Sequence, residues 1–137
     1  MAARLRARAA PMVLVVDDNY DLREVLEAAL VQAGYRVSTA PNGKVALEQA
    51  HGNRPDLIVL DLMMPVMSGW QFLEARREDP EIATIPVIVD SAVLESNIEG
   101  AAVVLRKPFD LDALLTAASR LCGGGREHLD QLNQLGA

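Results

Sequence analysis

The chain holds a single cysteine, Cys122, so no disulfide can close within it and nothing calls for an oxidising compartment. A reducing cytoplasm is the expected setting. Long apolar runs are missing as well. The longest strongly apolar run, Met12 to Val16, falls far short of the ~20 residues a membrane span requires, and Asp17 and Asp18 end it. It does not read as a signal-peptide core either, and no role at a membrane is expected. Aromatic side chains are scarce, with one Trp, two Tyr and two Phe. There is no internal repeat and no low-complexity segment.

What is present fits one compact core. A length of 137 residues, half hydrophobic and about a quarter charged, suits a single globular domain, because two cores of half that size would each be short of buried surface. Charge is uneven. The first eight residues carry Arg4, Arg6 and Arg8 and no acid; setting those three aside leaves ten bases against nineteen acids. So anionic a body repels a phosphate backbone, and direct nucleic-acid binding is not expected. Residues 1–10 read as a disordered basic tail, 11–122 as the domain, and 123–137 as a glycine linker followed by a short tail or helix, with Leu129, Leu132 and Leu135 three apart.

Short apolar or β-branched runs at 12–16, 36–39, 57–60, 86–90 and 102–105 alternate with segments of helical period, which implies a parallel sheet covered on both faces. The clearest helix places Leu22, Val25, Leu26, Ala29, Leu30 and Ala33 on one stripe, with Asn19 to cap it and Gly34 to end it. Helices at about 43–51 and 69–78 follow the Pro41-Asn42-Gly43 turn and the cap Ser68, and a last one starts at Asp110 and runs to about 121.

Ligands of an open parallel sheet bind beyond the carboxyl ends of its strands. The residues there are Asp17 and Asp18, Asp61, Ser91 and Lys107. Three carboxylates in one place repel one another unless a cation neutralises them. Oxygen ligands without a Cys or His cluster favour a hard ion, Mg²⁺ before Zn²⁺. A carboxylate can also be the nucleophile that forms an acyl phosphate, whose charge a metal and a lysine then stabilise. Asp61 as nucleophile, Mg²⁺ and Lys107 as clamps and Ser91 as donor make a complete phosphoryl-transfer site. Neither His51, at a helix end, nor His128, in the tail, joins it.

The strings VVDDN (15–19), DLMMPVMSG (61–69), PVIVDSA (86–92) and KPF (107–109) resemble, in order, the motifs of the response-regulator receiver family over roughly residues 11–122. The resemblance implies a doubly wound five-stranded α/β fold of flavodoxin type with strand order 2-1-3-4-5. It implies an acidic pair, Asp17 and Asp18, that holds Mg²⁺ with Asp61 and the backbone carbonyl of Met63, and phosphorylation of Asp61. It implies that Ser91 and Lys107 contact the phosphoryl group and that the Lys107–Pro108 bond is cis.

Three departures bear on output. Where the family carries Tyr or Phe three residues before the lysine, this chain has Val104, which has no ring to reorient. Only fifteen residues separate Ser91 from Lys107, so the family's fourth helix is expected to shrink to about one turn or a loop. Asp90 stands where an apolar residue is usual, and the shortened helix is expected to leave it near solvent. Met63 and Val93, both apolar, imply slow autodephosphorylation.

The expected function is a single-domain phosphoacceptor that takes a phosphoryl group from a histidine kinase or histidine phosphotransfer protein and signals by binding another, unknown protein. Its own chemistry is limited to self-phosphorylation and slow hydrolysis. The alternatives are a pseudo-receiver that binds without switching, which the intact acids and lysine oppose, and a phosphorelay intermediate or sink. A haloacid-dehalogenase-like phosphatase would need a D-x-D that VVDDN does not supply. The sequence leaves open whether the altered fourth-helix region removes the family's dimer face or builds another.

Overall fold

The computed structural model describes residues 10–92 and 97–123. Five parallel strands, β1 (Met12–Val16), β2 (Arg36–Ala40), β3 (Leu57–Asp61), β4 (Val87–Ser91) and β5 (Val103–Arg106), form one sheet in the order β2-β1-β3-β4-β5. The described helices are α1 (Tyr20–Gln32), α2 (Gly43–Gly52), α3 (Gly69–Arg77) and α4 (Leu111–Cys122). This is the doubly wound fold expected from the sequence. Strands β3 and β4 are buried at every residue, whereas the edge strands β2 and β5 are mostly half-buried, as a sheet covered on both faces requires.

Alternation along the strands divides the core in two. Leu14, Val16, Ile58, Leu60, Val87 and Val89 pack under α2 and α3, while Val13, Val15, Leu57, Val59 and Ile88 pack under α1 and α4. Helix starts follow local chemistry. Asn19 accepts from the Leu22 N–H and Asn42 from the Val45 N–H, and Ser68 and Gln71 form a reciprocal capping box. Asp110 stands at the cap of α4, but its side chain accepts no capping bond. Gly69 is needed for space. A Cβ there would lie 2.3 Å from the Asp61 carbonyl oxygen and 2.7 Å from Leu62 Cα, so only glycine lets α3 start against the end of β3.

Between β4 and β5, the described residues form no helix, only a turn at Glu99 and Gly100 with Ile98 packed into the core. Residues 93–96, Val93 among them, lie outside the described residues, as do 1–9 and 124–137.

Asp90 corrects the sequence reading. It is not near solvent but 1% exposed. The crossover from β4 to β5 advances across the sheet in the same sense as that from β3 to β4, so right-handed connection puts it on the α3 face. Asp90 alternates to the other face, beneath α1 and α4, two residues beyond Ile88. Shortening the fourth-helix segment therefore uncovers the wrong side of the sheet to expose it.

Candidate functional site

The sheet brings together the acids that the sequence separates. Asp17 follows β1, Asp61 ends β3, and the β1–β3 register pairs Val16 with Leu60, so the two carboxylates leave adjacent strands at one level. Carboxylate oxygens of Asp17, Asp18 and Asp61 all lie within 4.8 Å of one another. Asp17 and Asp61 are buried; Asp18 is exposed. The Asn19 N–H donates to Asp17 Oδ1 at 2.9 Å, and Arg23 Nη1 donates to the Asp17 carbonyl at 2.7 Å. Arg23 fixes the loop that carries the acid pair, and nothing in its spacing signals that role in the sequence.

Lys107 enters from beyond β5. Its backbone N–H donates to the Ser91 carbonyl at 2.9 Å, and its Nζ stands 3.4 Å from Asp17 Oδ2 and 3.6 Å from Asp61 Oδ1. The Lys107–Pro108 bond is cis. Ser91, fully buried, ends β4 one residue beyond Asp90, the residue paired with Asp61 on β3. The Met63 N–H approaches Asp61 Oδ1 at 3.4 Å, and the Met63 side chain is exposed beside the site. Asp17, Asp18, Asp61 and Lys107 thus meet at the carboxyl ends of β1, β3 and β5, whereas Ser91 is tied to Lys107 through its backbone carbonyl and Met63 to Asp61 through its N–H.

Burial and the neighbouring Asp17 charge raise the Asp61 carboxyl above its ordinary value of 3.8, against the pull of Lys107 and the Met63 N–H. Burial lowers the Lys107 ammonium, but the charges of Asp90, Asp17 and Asp61 outweigh it and hold the amine above 10.5. Burial pushes Asp90 up to about 7, with Asp17 and Asp61 adding to the rise and Lys107 opposing it. The donor set suits a hard divalent cation. Asp17, Asp18 and Asp61 offer only oxygens, two of these acids are buried together, and their one close counter-charge among the described residues is Lys107.

A buried acid at the end of the central strand, an acidic pair one strand away and a lysine reaching both define a receiver domain of two-component response regulators. The family model for the response regulator receiver domain matches residues 13–119, and the chain belongs to that family. It is 37% identical to the response regulator PleD of Caulobacter vibrioides over 128 residues, 89% of this chain and 28% of that protein. The curated relatives it matches are longer, and the chain spans 8 to 49% of their length. Among solved structures, the chemotaxis response regulator CheY4 of Vibrio cholerae matches 82% of this chain and 98% of its own, with a TM-score of 0.76 and 33% identity. The response regulator TrrA of Thermotoga maritima, in complex with Mg²⁺ and BeF, matches 81% of this chain and 98% of its own, with a TM-score of 0.73 and 30% identity. No described helix is long and apolar enough to cross a membrane.

Proposed function

We propose that the chain is a phosphoacceptor in which Asp61 takes the phosphoryl group of a phosphohistidine on a histidine kinase or histidine phosphotransfer protein. An oxygen of Asp61 attacks phosphorus, the P–N bond breaks with its electron pair going to the imidazole nitrogen, and an aspartyl phosphate results. Lys107 and Ser91 take up the equatorial phosphoryl oxygens. Asp17, Asp18, Asp61 and the carbonyl of Met63 would hold Mg²⁺, which when bound neutralises the carboxylates and the charge on the transferred group. Beyond self-phosphorylation and slow autodephosphorylation the chain is no enzyme. It works in the cytoplasm and signals by contact with an output protein.

The observation that carries this reading is Lys107 Nζ held within 3.6 Å of both Asp17 and Asp61, since a switchless interaction module has no use for a half-buried ammonium drawn in among acids. Incubation with acetyl phosphate and Mg²⁺ followed by mass spectrometry tests it. One phosphoryl group on Asp61 is expected, absent with EDTA and absent in Asp61→Asn. An unmodified Asp61 after treatment with acetyl phosphate and with a phosphorylated histidine kinase overturns it.

A further inference from the structure

Asp90 has no part in the chemistry above, yet it lies beside it. The β3–β4 register pairs Asp61 with Asp90, and the β4–β5 register pairs Asp90 with Leu105. Paired residues of adjacent strands project to the same face, so the Asp90 carboxyl sits one strand out from that of Asp61. Lys107 starts beyond β5 and ends against Asp61 and Asp17, on β3 and β1. Strands stand ~4.8 Å apart, so the lysine stem must cross β4 to get there, on the face that carries Asp90.

Among the described residues neither carboxyl oxygen of Asp90 has a hydrogen-bond partner. A buried carboxyl left in that state costs the fold stability, and an apolar side chain would serve the core better. A group so expensive to the fold, placed under a reacting lysine, is the mark of a functional residue. The electrostatics agree, because Asp90 joins Asp17 and Asp61 in drawing the Lys107 ammonium and holding it charged.

We propose that Asp90 is a positioning residue that draws Lys107 inward across β4 and holds its ammonium against Asp17 and Asp61, ready for the phosphoryl oxygens. The inference rests on the phosphoacceptor reading of the same site. It adds to the site an acid whose work is done through the lysine.

The full chain carrying Asp90→Asn, which keeps shape and removes charge, or Asp90→Val provides the test. Lys44 and Lys107 are the only lysines, so competitive amine labelling read by mass spectrometry reports the freedom of Lys107 with Lys44 as internal reference. Both variants should label Lys107 severalfold faster relative to Lys44, and Asp90→Val should also unfold at a higher temperature than the parent. Phosphorylation of Asp61 by acetyl phosphate and Mg²⁺ should slow about tenfold in Asp90→Asn, the scale of a displaced reacting group. In a Lys107→Met background the same change should cost nothing more. An unchanged Lys107-to-Lys44 ratio in both variants overturns the proposal, as does an equal loss of rate in the Lys107→Met background. A parent that takes up no phosphoryl group would sink the phosphoacceptor reading alone, for the labelling ratio still decides whether Asp90 positions Lys107.

Discussion

Val66 is a β-branched residue at φ 69°, in the loop between β3 and α3, and its side chain is 76% exposed. The left-handed region costs such a residue about 1–3 kcal/mol, and here little burial offsets it. Val66→Gly should therefore stabilise the fold by about 1 kcal/mol, after the extra entropy glycine loses on folding. A urea unfolding midpoint that fails to rise, at unchanged slope, would show that the loop is not strained at this position. The same loop joins β3, which ends in Asp61, to α3, so the strain sits within the site's own wall. The residues of the site differ in how far the sequence discloses them. Asp17, Asp18, Asp61 and Lys107 could be read because each follows an apolar run that must be a buried strand. Ser91 could be read from its motif. Asp90 could be found but not placed, since its burial depends on which face of the sheet the shortened crossover leaves bare, and that is a property of handedness.

At the scale of elements, α2 is tied to the segment after α3 by one imidazole. His51, in the last turn of α2, meets Asp79 Oδ2 at 2.7 Å through Nε2 and Glu81 Oε2 at 2.8 Å through Nδ1. Carboxylates only accept, so both contacts need a proton on each ring nitrogen and the bridge exists only as imidazolium. The hydrogen bond to Glu81, with the charges of Asp79 and Glu81, raises His51 above its ordinary 6.5 against the opposing effect of desolvation. A folded-state value above the unfolded one contributes stability that is complete below pH 6.5 and is lost as pH rises through the folded value. The stability gap between the parent and His51→Gln should thus be open at pH 5.5 and close on the alkaline side; a gap that stays constant across that range excludes the bridge. The elements themselves were largely legible, because the apolar stripe of α1 and the caps Asn19, Asn42 and Ser68 are local signals. Strand limits were less so. The fourth strand was expected at 86–90 and runs Val87–Ser91, since Pro86 has no N–H to give to the ladder. The fifth was expected at 102–105 and runs Val103–Arg106, its register set by pairing with β4 rather than by its own residues.

For the molecule as a whole, a divalent ion held by Asp17, Asp18 and Asp61 would belong to the folded state alone, because Asp61 lies far along the chain from the adjacent pair Asp17 and Asp18. Binding then stabilises the fold by mass action, about 2.7 kcal/mol at a free concentration one hundred times the Kd. Millimolar Mg²⁺ should raise the unfolding temperature and EDTA reverse it, with the increment reduced in Asp17→Asn. Equal shifts in parent and variant would mean that the ion binds elsewhere. One property of the architecture reaches beyond the site. Asp17, Asp18, Asp61 and Lys107 cluster at the pole where the strands end, whereas β1 starts at the other pole, and α4 returns there, with Ser119 and Arg120 lining one groove together with Ala33 and Tyr35 just ahead of β2. The described residues therefore both begin, at Ala10, and end, at Gly123, at the antipode of Asp61. A fluorophore carried at that pole, on Ser119 for instance, would stand the length of the sheet away from the Asp61 pocket and leave its mouth unshaded.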